Sequence, residues 1–209
     1  MITADNEAGA TQAAPVQAVA TQQVATGSAD ASGAATSTGS ELMHWHETLR
    51  DGTRVLIRPI RHEDGAVERA FIDRLSPESL AFRFLGHVRV GDEMVRKLTD
   101  LDLSHDMAFV ALRHDEGEKR EIGVSRFYVS RDGLSCECAV TVSDEWQGRG
   151  LGSLLMRHLI DVARQRGIKV MYSIDAANNH KMRELAHSLG FERKIDLSYT
   201  SEVVHSLTL

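Results

Sequence analysis

The sequence lacks the features that mark membrane, secreted and nucleic-acid-binding proteins. No apolar run approaches the roughly 20 residues that a membrane-spanning helix needs. The two cysteines, Cys136 and Cys138, stand in one strand-like segment and point to the same face, so they cannot form the framework disulfide of a secreted domain. Positive charge is not in excess, because 24 Lys and Arg residues oppose 30 Asp and Glu residues. Without a basic stripe, the electrostatic attraction that dominates nucleic-acid affinity is missing. We therefore expect neither a membrane nor a nucleic acid as partner.

The first 40 residues contain no lysine, arginine or aromatic residue. Ala, Thr, Gln, Ser and Gly dominate this stretch, which cannot bury enough apolar surface to offset the entropy lost on ordering. We predict a disordered low-complexity tail over residues 1–40. The tail has neither the cationic start and apolar run of a secretory signal nor the arginines of a mitochondrial presequence, which favours a cytoplasmic protein. Residues 41–209 have the length of one ordinary domain.

Hydrophobic periodicity predicts alternating helices and strands along this domain. Predicted strands cover residues 54–58, 107–112, 121–129, 135–142, 170–174, 195–199 and 203–207. Predicted helices cover residues 63–75, 92–98, 150–166 and 179–189, and a further helix begins at Ser76-Pro77, a cap followed by a first-turn proline. Short connections between the middle strands favour antiparallel hairpins. The stretch from 135 to 174 is a β-α-β crossover, so the sheet should be mixed.

Residues 147–152, with the sequence Q-G-R-G-L-G, form a glycine-rich loop between a predicted strand and a predicted helix. Three glycines in five residues allow a tight turn that presents unpaired backbone N–H groups, and the following helix adds the positive end of its dipole. Pyrophosphate suits such a loop. A Walker loop needs Gly-Lys followed by Ser or Thr, and a dinucleotide fingerprint needs G-x-G-x-x-G, so neither describes these residues.

The spacing that this loop does fit is Q-x-x-G-x-G, and with it the chain resembles the GNAT superfamily of acyl-CoA-dependent N-acyltransferases. A second motif follows about thirty residues later, where Asn179-His180-Lys181-Met182 and then Leu189-Gly190-Phe191 are similar to the family's next helix. The resemblance implies an α/β fold of the α+β kind. Its sheet would be mixed but mostly antiparallel, with six to seven strands, helices on both faces and a splayed central strand pair.

The resemblance also implies acetyl-CoA as cosubstrate and a set of residues that bind it. Main-chain groups of Val140 and Val142 would pair with pantetheine as an added strand would, and Asn179 would hydrogen-bond the same arm. The residues expected at the pyrophosphate are Gln147, Gly148, Arg149, Gly150, Leu151 and Gly152. Other interpretations of the residues stay open: both valines as core, Arg149 as a solvated loop residue, and Asn179 as a helix N-cap. No metal is expected, since His44 and His46 have no third ligand nearby.

Acetylation of an amine needs a base, because a lysine ammonium has a pKa of about 10.4, roughly three units above neutrality. Glu137 is the candidate, as a carboxylate among small apolar residues whose burial would raise its pKa. An ordinary polar residue on an exposed sheet face would fit the spacing equally well. The resemblance favours the base, since protein-acetylating GNAT enzymes carry a Glu at this place in the fourth strand.

Two features complicate the chemistry. Many GNAT enzymes carry a tyrosine on the last helix that protonates the leaving thiolate, but the corresponding position here is Ala186. The general acid is therefore unassigned, with Tyr172, His187, Ser188 or unassisted departure as alternatives. The cysteine pair suggests a covalent acyl-cysteine scheme, although a small buried thiol is the commoner explanation.

The front of the domain narrows the resemblance further. Residues 49–52, 58–60 with 63–64, and 75–79 with 83–84 are similar to the GNAT domain of bacterial protein-lysine acetyltransferases. This implies transfer of an acetyl group from acetyl-CoA to a primary amine by direct attack in a ternary complex, with a protein lysine as acceptor and an acyl-CoA synthetase as a candidate partner. The alternatives are N-acetylation of a small amine and a non-catalytic acyl-CoA sensor. The oligomeric state, a homodimer included, is left open.

Overall fold

The computed structural model describes residues 43–115, 117–194 and 201–209. The predicted tail at 1–40 and the predicted strand at 195–199 lie outside these residues. The strands are β1 (Trp45–Thr48), β2 (Arg54–Pro59), β3 (Met107–Asp115), β4 (Glu118–Val129), β5 (Ser135–Val142), β6 (Val170–Ala176), β7 (Glu192–Lys194) and β8 (Glu202–Thr208). The α-helices are α1 (Gly65–Asp73), α2 (Pro77–Phe84), α3 (Asp92–Thr99), α4 (Leu151–Gln165) and α5 (His180–Ser188), with single 3₁₀ turns at His62–Asp64 and Asp144–Trp146.

One sheet contains all eight strands of the described residues, in the order β1-β2-β3-β4-β5-β6-β8-β7. Only the β5–β6 pair is parallel, because α4 carries the chain back across the sheet between them. The mixed, mostly antiparallel α/β fold is thus confirmed, with one or two strands more than expected. β1 escaped prediction: Trp45–Thr48 has only four residues, too few for alternation to be recognised, and pairs with β2 at the edge of the sheet.

Helices cover both faces of the sheet, and each face has its own apolar core. On one face, α4 and α5 pack on the central strands, with Leu151, Leu155 and Leu159 of α4 fully buried. On the other, α1 and α3 bury Phe71, Val95 and their neighbours against β3 and β4. The sheet is therefore fixed from both sides. Among the described residues, no helix is both long and apolar enough to cross a membrane.

The first predicted helix is shorter than its apolar pattern suggested. Residues 63–75 were expected to be helical throughout, but a 3₁₀ turn at His62–Asp64 precedes α1, which ends at Asp73. The apolar pattern continues past the end of the helix because Leu75, which lies in the turn after α1, is also buried in the core. Ser76 then caps α2 as predicted, since its hydroxyl accepts the backbone N–H of Ser79, and Pro77 is the first helical residue.

β5 and β6 separate along their length. They pair only from Ser135, opposite Val170, to Glu137, opposite Tyr172. Beyond this point the β6-facing edge of β5 has no strand partner among the described residues, although its other edge stays paired with β4 up to Val142. The splayed strand pair implied by the resemblance is therefore present, and it opens the cleft described next.

Candidate active site between the splayed strands

A cleft of about 540 Å³ opens where β5 and β6 diverge. One wall is the free edge of β5, residues 138–142, and opposite it lie Asp175 at the end of β6 and the first two turns of α5. The glycine-rich loop closes one end, and α2 covers one side. Seven of the ten predicted site residues line this cleft: Val140, Val142, Gln147, Gly148, Gly150, Gly152 and Asn179.

The loop is built for close approach to its backbone. Gly148 and Gly150 have φ angles of +75° and +91°, in the left-handed region that other residues avoid. A Cβ on Gly148 would meet nothing within 4 Å, so the loop faces open space. Gly150 is the N-cap residue of α4, whose first-turn N–H groups point at the cleft end. Leu151 contributes its backbone only, because its side chain is fully buried and anchors the loop in the core.

Two arginines lie beside this loop. The guanidinium of Arg149 donates to Asp51 at 2.6 Å and lies 4.6 Å from the Trp146 ring centroid, and Arg149 is not among the cleft-lining residues. The expectation that Arg149 faces phosphate oxygens stays a prediction. Arg50 was not among the expected residues, but it lines the cleft, and its Nε is 3.4 Å from where a Cβ on Gly150 would stand. A backbone hydrogen bond from Arg50 N–H to the Arg149 carbonyl holds the two segments together.

Gln147 joins three elements around the cleft. Its side-chain amide donates to the Val142 carbonyl at 3.0 Å and to the Ser79 hydroxyl at 3.3 Å, and its carbonyl accepts from the Lys181 ammonium at 2.7 Å. Asp144 supports the same junction by accepting the Ser76 N–H and both serine hydroxyls, of Ser76 and Ser79. The end of β5, the start of α2 and the start of α5 are thereby held in one geometry.

The residues expected at the pantetheine arm have two roles each. Val140 and Val142 are partly buried against the core on the α4 side and also line the cleft. Asn179 is the N-cap of α5, since its carbonyl oxygen accepts the Met182 N–H at 3.1 Å, and it too lines the cleft. The core and N-cap interpretations therefore hold without excluding contacts in the cleft.

Glu137 lies where the two strands separate, next to the cleft, but it is not among the residues that line the cleft. It is 3% exposed, pairs across the sheet with Tyr128 and Tyr172, and immediately precedes Cys138, the first residue of β5 that lines the cleft. The exposed-face interpretation of Glu137 is therefore wrong. Because strand side chains alternate and Cys136 and Cys138 face α4, Glu137 faces the side of α1 and α2. Burial, together with Glu137, raises the pKa of the Tyr172 phenol.

The two thiols do not suit covalent catalysis. Burial raises the pKa of Cys136 to about 12, and burial with nearby acidic groups raises that of Cys138 well above its usual range. The thiolate is the nucleophilic form of cysteine, so both thiols are protonated and inert near neutral pH. The simple interpretation of the pair as small buried residues accounts for them.

Three further polar residues on the α4 side of the sheet were not foreseen. Asp175 accepts from Ser173 at 2.6 Å, and it lies 2.9 Å from Nδ1 of His205, a residue of β8 that is 2% exposed. Asp175 lines the cleft, whereas His205 lies behind it. Ala186 of α5 is 1% exposed over the same face and has no acidic group to offer. Of the alternatives for the acid, Ser188 lines the cleft, Tyr172 stands beside Glu137 and His187 is exposed on α5.

The sequence matches the Acetyltransferase (GNAT) family over residues 76–191, more than half of the chain. It is also 50% identical over 167 residues to Acetyltransferase PA5475 of Pseudomonas aeruginosa, covering 79% of this chain and 90% of that relative. This chain belongs to the GNAT family of acetyltransferases. Among solved structures, the GNAT domain of S. lividans PAT is 27% identical with a TM-score of 0.72, over 79% of this chain and 97% of that one. The ribosomal-protein-S5-alanine acetyltransferase of Vibrio fischeri shares the fold at 14% identity and a TM-score of 0.62, over 78% and 97% of the two chains.

Three cationic side chains also line the cleft: Arg50 beside the loop, Lys181 on α5 and Arg83 on α2. All three stand within motifs of the resemblance, but those motifs did not indicate that the side chains line the cleft. A helical wheel of α2 would have placed Arg83 one turn beyond Ser79, which is the one signal that could have found it.

Proposed function

We propose that this protein is an N-acetyltransferase that moves an acetyl group from acetyl-CoA to a primary amine by direct attack in a ternary complex, with a protein lysine as the acceptor. The observation that carries the proposal is the cleft itself. It has the glycine-rich loop at one end and an unpaired strand edge along its wall, and the buried Glu137 lies next to it, where β5 and β6 separate.

Several features of the cleft support acetyl-CoA as its ligand. The open space beside Gly148, the N-terminus of α4 and the Arg50 guanidinium suit a pyrophosphate. The free edge of β5 suits the two amides of pantetheine, because an unpaired edge offers main-chain groups to an extended ligand. When bound, acetyl-CoA supplies a thioester carbonyl that an amine can attack. In this proposal, that carbonyl lies near the point where β5 and β6 separate.

Glu137 is the base in this proposal. An amine attacks only after it has lost its proton, and Glu137 accepts that proton directly or through a water as the new C–N bond forms and the C–S bond breaks. Its position next to the cleft suits the role, since a general base must lie within reach of the amine proton, directly or through one water. Ala186 gives no proton to the leaving thiolate. A thiol has a pKa of about 8.5, so the thiolate leaves without an acid and takes its proton afterwards.

Two observations support a protein lysine as acceptor. The similarity to the GNAT domain of S. lividans PAT covers nearly all of that domain, and the front motifs at residues 49–52 and 75–79 belong to the same resemblance. Residues of these motifs also help to build the cleft. Ser76 and Ser79 donate hydrogen bonds to Asp144, and Arg50 lies beside the glycine-rich loop. A protein acceptor would add contacts outside the reacting amine that help to orient it.

The acceptor can be tested with one set of rates. We expect a lysine on a folded acyl-CoA synthetase to be acetylated faster than free lysine or spermidine, with acetyl-CoA saturating in each assay. Preference for a small amine would assign the protein to small-molecule N-acetylation. Tight acetyl-CoA binding without transfer to any acceptor would refute the proposed enzymatic activity and favour a non-catalytic acyl-CoA sensor.

A further inference from the structure

Arg83 is a buried cation in the wall of the cleft. The residue is 9% exposed and lines the cleft from α2, and its guanidinium carbon lies 5.0 Å from the centroid of the Phe84 ring. Within the described parts of the chain, its guanidinium makes no hydrogen bond or ion pair. A buried charge without a partner is costly, and guanidinium groups in such places commonly meet a carboxylate or phosphate.

Among the described residues, no side chain behind Arg83 forms an ion pair with it. Glu68 attracts Arg83, but its carboxylate is already paired with Arg126 at 3.3 Å, and Arg126 is itself fully buried and repels Arg83. Burial and the nearby Glu68 raise the pKa of Glu121 well above its usual range, which favours the neutral acid there. Arg83 and Arg126 therefore share this part of the interior with Glu68, and Glu137 of β5 faces the same side of the sheet. Burial and Arg126 lower the pKa of Arg83 to about 10, so it is still a cation at neutral pH.

Arg83 lies toward the reacting end of the cleft rather than the phosphate end. Ser79, which hydrogen-bonds Gln147 of the loop, marks the phosphate end of α2. Arg83 is one turn further along the same helix face, a rise of about 6 Å. The groups that act on its charge, Arg126 and Tyr128, belong to the stretch of β4 that pairs with Ala139 and Glu137. An anion that binds Arg83 would therefore be close to the acyl group and the attacking amine.

We propose that Arg83 binds a carboxylate of the substrate next to the reacting amine or acyl group. The inference rests on the proposed function and names a substrate class for it: an amine acceptor that carries a carboxylate, or an acyl chain that ends in one. The planar guanidinium can form two parallel hydrogen bonds to a carboxylate, and in a desolvated site both gain strength. In the proposed binding mode, CoA itself brings no anion to this position, because its phosphates bind at the loop end.

The test compares substrates that differ only in the carboxylate. For the acceptor, Nα-acetyl-lysine is compared with Nα-acetyl-lysine amide, and a peptide containing Lys-Glu with the same peptide containing Lys-Gln. For the acyl chain, succinyl-CoA is compared with butyryl-CoA. Each pair is assayed with the wild type, Arg83→Gln, Arg83→Lys and Arg89→Gln. Arg89 is an exposed arginine that does not line the cleft, so its variant controls for the loss of one positive charge.

We expect the wild type to favour the carboxylate member of one pair by about 10- to 100-fold in kcat/KM, as a charged hydrogen bond predicts. Arg83→Gln should abolish that preference through KM, Arg83→Lys should restore part of it, and Arg89→Gln should match the wild type. If Arg83→Gln loses the preference in an acceptor pair, the carboxylate belongs to the amine substrate. If it loses the preference in the acyl pair, the carboxylate belongs to the acyl donor. A wild-type ratio near one in every pair overturns the inference, even if Arg83→Gln fails to fold. An unchanged ratio in a folded Arg83→Gln overturns it as well.

A binding measurement separates this inference from the proposed function. Nα-acetyl-norleucine keeps the carboxylate but has no amine to acetylate, and its binding to the CoA-loaded protein can be followed by ligand-observed NMR. Binding that is weakened in Arg83→Gln and absent for the corresponding amide supports carboxylate recognition even if no acetyl transfer is found. Normal acetyl transfer to lysine without such binding, and without any carboxylate preference, would leave the proposed function intact and refute the role of Arg83.

Discussion

Replacing Gly150 by glutamate should separate the binding role of the loop from its contribution to stability. Gly150 caps α4 with a φ of +91°, so any side chain there strains the backbone. The strain amounts to about 1–2 kcal/mol for a residue other than glycine in the left-handed region. For a domain of this size, it corresponds to a fall of roughly 2–8 °C in the thermal midpoint.

The effect on acetyl-CoA affinity should be much larger than this strain. A carboxylate held about 4 Å from a phosphate oxygen, near a protein surface, costs about 4 kcal/mol, which weakens binding roughly a thousand-fold. The new carboxylate would also pair with Arg50, whose Nε lies 3.4 Å from the position of the added Cβ, and so withdraw that cation from the phosphates.

Gly133→Glu is the matched control. Gly133 has a φ of +69° in the hairpin before β5 and does not line the cleft, so the substitution adds the same strain and charge elsewhere. Calorimetric titration with acetyl-CoA should show near-normal affinity for Gly133→Glu and almost none for Gly150→Glu, with similar thermal midpoints. Equal acetyl-CoA affinity in two folded variants would refute the assignment of residues 147–152 to the phosphates.

Two other predictions follow from side chains around the cleft. Arg50→Gln should raise the KM for acetyl-CoA about 10-fold with little change in kcat, because a charge-assisted contact to phosphate is lost. Arg149→Gln should have a smaller effect on KM, since its guanidinium is paired with Asp51. The reverse order in steady-state kinetics would assign Arg149 as the phosphate ligand. Burial raises the pKa of Cys136 from 9.0 to about 12. Between these pH values, the unfolded chain loses a proton that the folded chain keeps. The free energy of unfolding should therefore fall as the pH rises from 9 toward 12. Denaturant titrations of wild type and Cys136→Ala should show a weaker pH dependence in the variant over that range, and identical slopes would contradict the assignment.

Local sequence signals predicted most of the elements because short-range chemistry decides them. Ser76 and Pro77 predicted the start of a helix, and the alternation along residues 135–142 predicted β5. Both predictions agree with the structure. The glycine spacing at residues 147–152 located one end of the cleft, since left-handed φ angles at Gly148 and Gly150 are a property of the residue type. The alternation along β5 does not indicate which of its faces is buried, so the burial of Glu137 could be established only from the structure.

Features that depend on distant partners could not be predicted. Arg50 reaches the loop across some hundred residues of sequence, and Arg149 turns away because Asp51, equally distant, accepts its guanidinium. His205 meets Asp175 only because β8 pairs with β6. Such contacts follow from strand order and register, which neither composition nor periodicity specifies.

The most direct test of the central claim is a single-turnover measurement of acetyl transfer from pre-bound acetyl-CoA to a lysine acceptor, with the wild type and Glu137→Gln side by side. The variant keeps the volume of the side chain but cannot accept the proton of the amine. We predict that its transfer rate falls by roughly 10²–10⁴-fold, that acetyl-CoA affinity changes little and that no acetyl-enzyme forms in either protein. Equal rates in the two proteins would remove Glu137 from the mechanism, and an acetyl group found on the protein before transfer would contradict direct attack.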